Sequence, residues 1–125
     1  MRANFNPVGW FEIYVSDMKR GKAFYEAVLD VKLQALPSPG VEMQAFPMDP
    51  KFPGITGALV RMPQGKPEGN GTIVYFNCDD CAIEAARVAK NGGKIFKDKF
   101  SIGQYGFIVL AQDPEDNLFG LHSQR

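Results

Sequence analysis

Apolar and polar positions alternate from Val8 to Val15, in "VGWFEIYV". An extended chain puts Phe11, Ile13 and Val15 on one side and Trp10, Glu12 and Tyr14 on the other. The period then changes. After "SD" at 16–17, Met18–Leu29 carries apolar residues at helical spacing, with Ala23, Phe24, Ala27 and Val28 on one stripe. The same sequence of events recurs downstream. Thr72, Val74, Phe76 and Cys78 alternate with Ile73, Tyr75 and Asn77, and Cys81–Asn91 reads as a helix with Ile83, Ala86 and Ala89 on its stripe. Asp17 and Asp80 stand where an N-cap accepts bonds from first-turn N–H groups. "NGG" at 91–93 supplies residues that tolerate the left-handed turn ending a helix.

The recurrence is an internal repeat. "YVSDMKRGKA" (14–23) and "NCDDCAIEAA" (77–86) superimpose without a gap at an offset of 63 positions. Each helix is followed by three strand-like segments. These are Val31–Leu33, Val41–Phe46 and Ile55–Arg61 in the first half, and Lys94–Phe96, Gly106–Gln112 and Leu118–His122 in the second. The chain thus reads as βαβββ written twice, within one domain spanning 1–125. Module one covers about 8–62 and module two about 72–123, with "MPQGKPEGNG" (62–71) as a polar Pro/Gly connector. One helix for every four strands predicts an α+β fold, helices covering one face of a mostly antiparallel sheet.

Composition narrows the function classes. Of 125 residues, 45% are hydrophobic and 22% charged, as in an ordinary globular domain. Fourteen basic residues balance 14 acidic ones without a basic cluster, which argues against nucleic acid as a partner. No signal-peptide pattern or membrane-length apolar run is present, and a cytoplasmic protein is expected. Both cysteines lie in "NCDDC" as a C-x-x-C pair, Cys78 and Cys81. A zinc site lacks ligands, because His122 is the only histidine. Asp79 and Asp80 are poor neighbours for a reactive thiolate, so a structural thiol pair is expected.

"FEIYVSDMKRGKAFYEAVL", "YFNCDDCAIEAARVAKNGGKI" and "DPEDNLFGLHS", in this order and spacing, resemble the vicinal oxygen chelate superfamily over about Val8 to Ser123. That family includes glyoxalase I, the bleomycin resistance proteins and the extradiol dioxygenases. The resemblance implies two tandem βαβββ modules forming a curved, cleft-enclosing mixed sheet, the glyoxalase/bleomycin resistance fold, often as a homodimer. It also implies a divalent metal held by His, Gln or Glu from several strands. The positions matching those ligands are Trp10, Ile73, Gly120 and, near the middle of the first module's last strand, Ala58. None carries a metal-binding side chain. Asp116 replaces the glycine the family favours in its closing turn, a position where Asp tolerates positive φ.

What remains on the presumed cleft face is Glu12, two residues past Trp10, and His122, two past Gly120. These are the candidate catalytic pair, as general acid and base. Trp10, Tyr14, Tyr75, Asn77 and Gln44 are the candidate ligand-binding residues, Trp10 by stacking. Against these stand blander readings: a Glu12 held by Tyr and Trp donors, and a solvated or backbone-bonded His122. The expectation is a glyoxalase/bleomycin-resistance-like protein that binds or transforms a small organic ligand in an aromatic cleft without a metal cofactor. A divalent-metal lyase, isomerase or dioxygenase of the glyoxalase I type is the first alternative, and a non-catalytic interaction domain the second.

Overall fold

The computed structural model describes residues 5–64 and 71–125; the connector's residues 65–70 lie outside the described residues. By their contacts the residues group into two compact units, 10–72 and a second formed by 1–9 with 73–125. The first carries β1 (Val8–Tyr14, from Trp10 onward), α1 (Met18–Leu29), β2 (Gln34–Leu36), β3 (Glu42–Ala45) and β4 (Gly57–Arg61). The second carries β5 (Thr72–Asn77, from Ile73), α2 (Cys81–Val88), β6 (Lys94–Ser101), β7 (Phe107–Gln112) and β8 (Leu118–Ser123). Each is a βαβββ module, and the fold class is α+β.

Within each unit the first strand pairs with the last in parallel, and the other neighbours are antiparallel. In the first the order is β2-β3-β4-β1, and in the second β5-β8-β7-β6. Residues 5–9 serve the second unit. The Pro7 carbonyl accepts from Asn77 N–H at 2.7 Å, and the Asn6 carbonyl from Asn77 Nδ2 at 3.0 Å. The Asn77 side chain also fills the space beside Gly9, where any Cβ would collide with it.

Both expected caps form. Asp17 Oδ1 accepts from Arg20 N at 3.0 Å, and Asp80 Oδ1 from Ala82 N at 3.0 Å. Helix α2 ends at Val88, runs through a 3-10 turn (Ala89–Asn91) and stops at Gly92 with φ 90°, as "NGG" predicts. Helix α1 stops at Asp30, whose φ of 53° is left-handed. Its N–H donates to the Glu26 carbonyl, while the Glu26 carboxylate accepts from Leu33 N at 2.8 Å. That bond and the packing of Val31 and Leu33 beneath α1 explain why β2 begins at Gln34 rather than Val31.

The dry faces lie where strand parity put them. Ile13 and Val15 pack with Met18, Leu33, Leu59, Tyr25 and Phe46. Phe76 packs with Cys78, Cys81, Ala85, Val109 and Leu121. The helix stripes are a correction. Ala23, Phe24, Ala27 and Val28 face outward, as do Ile83, Ala86 and Ala89. Met18, Gly21, Lys22 and Tyr25 turn inward instead, matched at the 63-residue offset by Cys81, Glu84, Ala85 and Val88. The two modules bury equivalent helix positions even where residue types differ.

Strand β6 is longer than expected because its charged residues are tolerated at a sheet edge. Register shifts between Ile95 and Lys97 and between Lys97 and Phe100 mark bulges there. The β7–β8 turn is closed by Asp113, whose Oδ1 accepts from Glu115 N (2.8 Å) and Asn117 N (2.9 Å), with Asp116 at φ 66°. The Asn117 side-chain amide and backbone N–H hold the Asp113 carboxyl below its ordinary range. Lys99, bonded to Asp80 at 2.9 Å, does the same to Asp80, followed by the Ala82 N–H. A depressed carboxyl stabilises the fold above its unfolded pKa, and that contribution is lost as pH falls through the lower folded value. Melting temperature is therefore expected to fall as pH drops below about 4. An Asp80→Asn/Asp113→Asn variant should lose less over this range, and an equal loss would show that neither carboxylate contributes.

Candidate functional site

On β1 the alternation places Trp10, Glu12 and Tyr14 together, and the structure ties them. Trp10 Nε1 donates to Glu12 Oε2 at 3.2 Å, and Tyr14 Oη donates to Glu12 Oε1 at 3.2 Å. Each carboxylate oxygen thus holds one aromatic donor. These bonds orient the Glu12 carboxylate. Tyr14 is buried, and its N–H donates to the Gly71 carbonyl at 2.7 Å, which fixes the strand's end. Register extends this face across the sheet, since Glu12 pairs with Ala58 and Tyr14 with Val60, and these pair with Ala45 and Met43. The result is an acid seated between two aromatic groups, beside a floor of small and aliphatic side chains.

Gln44 does not join this face. It pairs with Leu59, which pairs with Ile13, so it points to the α1 side. Its Oε1 is buried there, and among the described residues it has no hydrogen-bond partner. The sequence misleads here because β3 is short and its residues alternate without a clear dry side.

In the second unit Tyr75 and Asn77 share a face with Gly120 and His122, their register partners on β8. His122 is half-buried, and its Nε2 lies 2.5 Å from the Tyr105 carbonyl. A carbonyl only accepts, so Nε2 carries the proton and a neutral ring keeps Nδ1 as its acceptor. Tyr105 comes from a 3-10 turn, Gly103–Tyr105, that sequence reading did not anticipate. Glu12 and His122 belong to different compact units.

The four positions that would hold a metal in the resembling enzymes are filled by groups that exclude it. Trp10 Nε1 is a donor already committed to Glu12. Ala58 and Ile73 are buried apolar residues. At Gly120 the ring of Tyr75 lies so close that an added Cβ would stand 2.8 Å from Tyr75 Cγ and nearer still to the ring edge. A carboxylate cannot start from that point while Tyr75 keeps its place. These residues do not fit the family's metal.

The C-x-x-C pair is in the core. Cys78 and Cys81 are both buried, with Cys78 Sγ 3.7 Å from the Phe76 carbonyl. Cys81 N–H donates to Ser123 Oγ at 3.0 Å, and Ser123, itself buried, donates to the Arg125 main-chain oxygen at 2.8 Å. Sequence reading missed this role of Ser123, because a side chain from 42 positions away completes the cap of α2.

Comparison with known proteins agrees with the fold. The family profile described as the glyoxalase/bleomycin resistance protein/dioxygenase superfamily matches residues 8–121. A glyoxylase-like domain-containing protein of Didymella fabae is 31% identical over 105 residues, covering 78% of this chain and 77% of its own. Among solved structures, a hypothetical protein of Bacillus halodurans C-125 superposes with TM-score 0.72 at 14% identity, over 94% of both chains. Methylmalonyl-CoA epimerase of Streptomyces coelicolor, solved with 2-nitronate-propionyl-CoA, superposes with TM-score 0.66 at 18% identity, over 96% of this chain and 98% of its own. At such identities the likeness is one of fold. No helix among the described residues is long and apolar enough to cross a membrane.

Proposed function

This chain belongs to the glyoxalase/bleomycin resistance protein/dioxygenase superfamily, and on that premise we propose that it binds a small organic ligand without the family's chelated metal. The ligand rests against the β1 face, where Glu12 receives an O–H or N–H and Trp10 offers a ring for stacking. The observation that carries this reading is the Trp10–Glu12–Tyr14 cluster, a carboxylate oriented by two aromatic donors at the strand where relatives would place a metal ligand. In a reaction on the β1 face, Glu12 takes a proton from the bound molecule; within its own unit, His122 with Nδ1 left as acceptor is the candidate proton-handling group. Tyr75 and Asn77 are the ligand contacts proposed for the second module. The protein works as a cytoplasmic homodimer, and two buried thiols suit a reducing compartment.

Glu12→Gln tests the reading. In a thermal-shift screen of small organic acids and aromatic compounds, a true ligand at one hundred times its Kd adds about 2.7 kcal/mol to the wild type. The variant should lose that gain and keep its own melting temperature within a degree or two, because Gln retains an acceptor for Trp10 or Tyr14. Undiminished binding, or collapse of the variant's fold, makes Glu12 structural. Near-stoichiometric Ni, Zn, Mn or Fe in protein purified without chelator would instead favour a metal-dependent lyase, isomerase or dioxygenase.

A further inference from the structure

Each module carries an equivalent row of residues across its strands, on the face away from its helix, and the two rows differ in charge. In module one Glu12 pairs with Ala58, Ala58 with Ala45 and Ala45 with Gln34. In module two Tyr75 pairs with Gly120, Gly120 with Leu110 and Leu110 with Lys97. Both ends match at the offset of 63, Glu12 with Tyr75 and Gln34 with Lys97. Where the first row ends in an amide, the second ends in a cation. Register partners share a face, so Lys97 stands with Tyr75 and Gly120. In the next row Phe100, Ile108 and His122 are partners on that same face. Lys99 goes the other way, its ammonium bonded to Asp80 at 2.9 Å on the α2 side. In a regular strand Lys97 and Lys99 would face alike. The register shift between Lys97 and Phe100 turns them apart, as a bulge does when it re-aims a side chain.

The Lys97 ammonium lies 4.0 Å from the centroid of the Phe100 ring. The ring holds the cation in place, and among the described residues that ammonium has no carboxylate partner. A cation kept on an aromatic ring beside Leu110 and Ile108 suits an anion attached to an apolar body. We infer that Lys97 is a specificity-determining residue and that the ligand of this face is an organic acid. Its carboxylate meets Lys97 Nζ, and its flat apolar body lies over Leu110 and Ile108 toward Gly120. Two strand spacings, about 10 Å, separate Lys97 from Gly120, enough for one aromatic ring and a short acid arm. The assignment rests on the proposed ligand contacts Tyr75 and Asn77, and it gives their ligand a chemical class.

Matched acids and amides test it by isothermal titration calorimetry, with phenylacetate against phenylacetamide and benzoate against benzamide as the probes. Wild-type protein should bind each acid at least about tenfold more tightly than its amide, with the acids weakening as salt rises. Lys97→Met should erase that preference, weakening the acids about tenfold and leaving the amides unchanged. Lys97→Arg should keep it. Phe100→Leu, which keeps the charge and removes the ring, should weaken the acids by a smaller factor. Melting curves of each variant control for loss of the contact between Lys97 and Phe100. Acids and amides bound equally, or a preference that survives Lys97→Met, overturns the role of Lys97 and leaves the metal-free ligand reading standing. A wild type that binds none of the four overturns the organic-acid class, and the thermal-shift screen then decides the ligand reading on its own. An acid preference that needs Lys97 but is indifferent to Glu12→Gln upholds this inference and removes Glu12 from the site.

Discussion

Gly57→Ala is expected to cost about 3 kcal/mol or more, against a total stability of about 5–15 kcal/mol for a domain of this kind. Gly57 is the register partner of Phe11 where β1 and β4 run in parallel. A Cβ there would fall well inside contact distance of the Phe11 carbonyl oxygen and 2.6 Å from ring atom Cδ1. Its φ is not in the left-handed region, so the constraint is space alone. The ring could rotate, but the carbonyl belongs to the strand and can move only if the pairing opens. Urea denaturation should show the loss, and adding Phe11→Ala should not restore it, because the obstructing oxygen remains. A loss under 1 kcal/mol would show that β1 and β4 can separate at little cost.

Gly120→Ala, at the equivalent place 63 positions later, is expected to lose a similar amount for a different reason. Here the obstacle is the ring of Tyr75, with Cγ 2.8 Å from an added Cβ. Side chains can be trimmed where backbones cannot. Tyr75→Ala should itself destabilise, since the ring is buried. The double variant should nonetheless be more stable than the sum of the singles predicts by at least about 1 kcal/mol. Strict additivity would mean that the ring does not rest on Gly120. The pair of glycines thus gives one suppressible and one unsuppressible lesion from matching positions in a duplicated module.

Much of this fold is legible in the sequence because its signals are local. The N-caps Asp17 and Asp80, the stop at "NGG" and the parity of β1 and β5 each depend on a few adjacent residues, and all are found as expected. The inner faces of the helices are not legible. Apolar periodicity finds an apolar stripe, and α1 has one that faces outward while Lys22 and Gly21 turn in. Gln44 fails for a related reason, since four residues of β3 hold too little pattern to fix a face. The site divides in the same way. Glu12 between its aromatic neighbours can be read from alternation, whereas the Tyr105 carbonyl on His122 and the Tyr75 ring over Gly120 need contacts across the sheet.

The pairing of residues 5–9 with the end of β5 has a consequence for the order in which the chain acquires its structure. Asn6 and Asn77 are 71 positions apart, whereas the β1–β4, β2–β3 and β3–β4 pairings lie within residues 10–72. The unit of 10–72 can therefore close on itself while its leading segment still hangs loose. The segment must wait for a partner made later, and it closes a long loop whose entropic cost is met only by the second unit's pairing. In a chain made from its N-terminal side, residues 5–9 precede β1 and yet find their partner only once the end of β5 has been made.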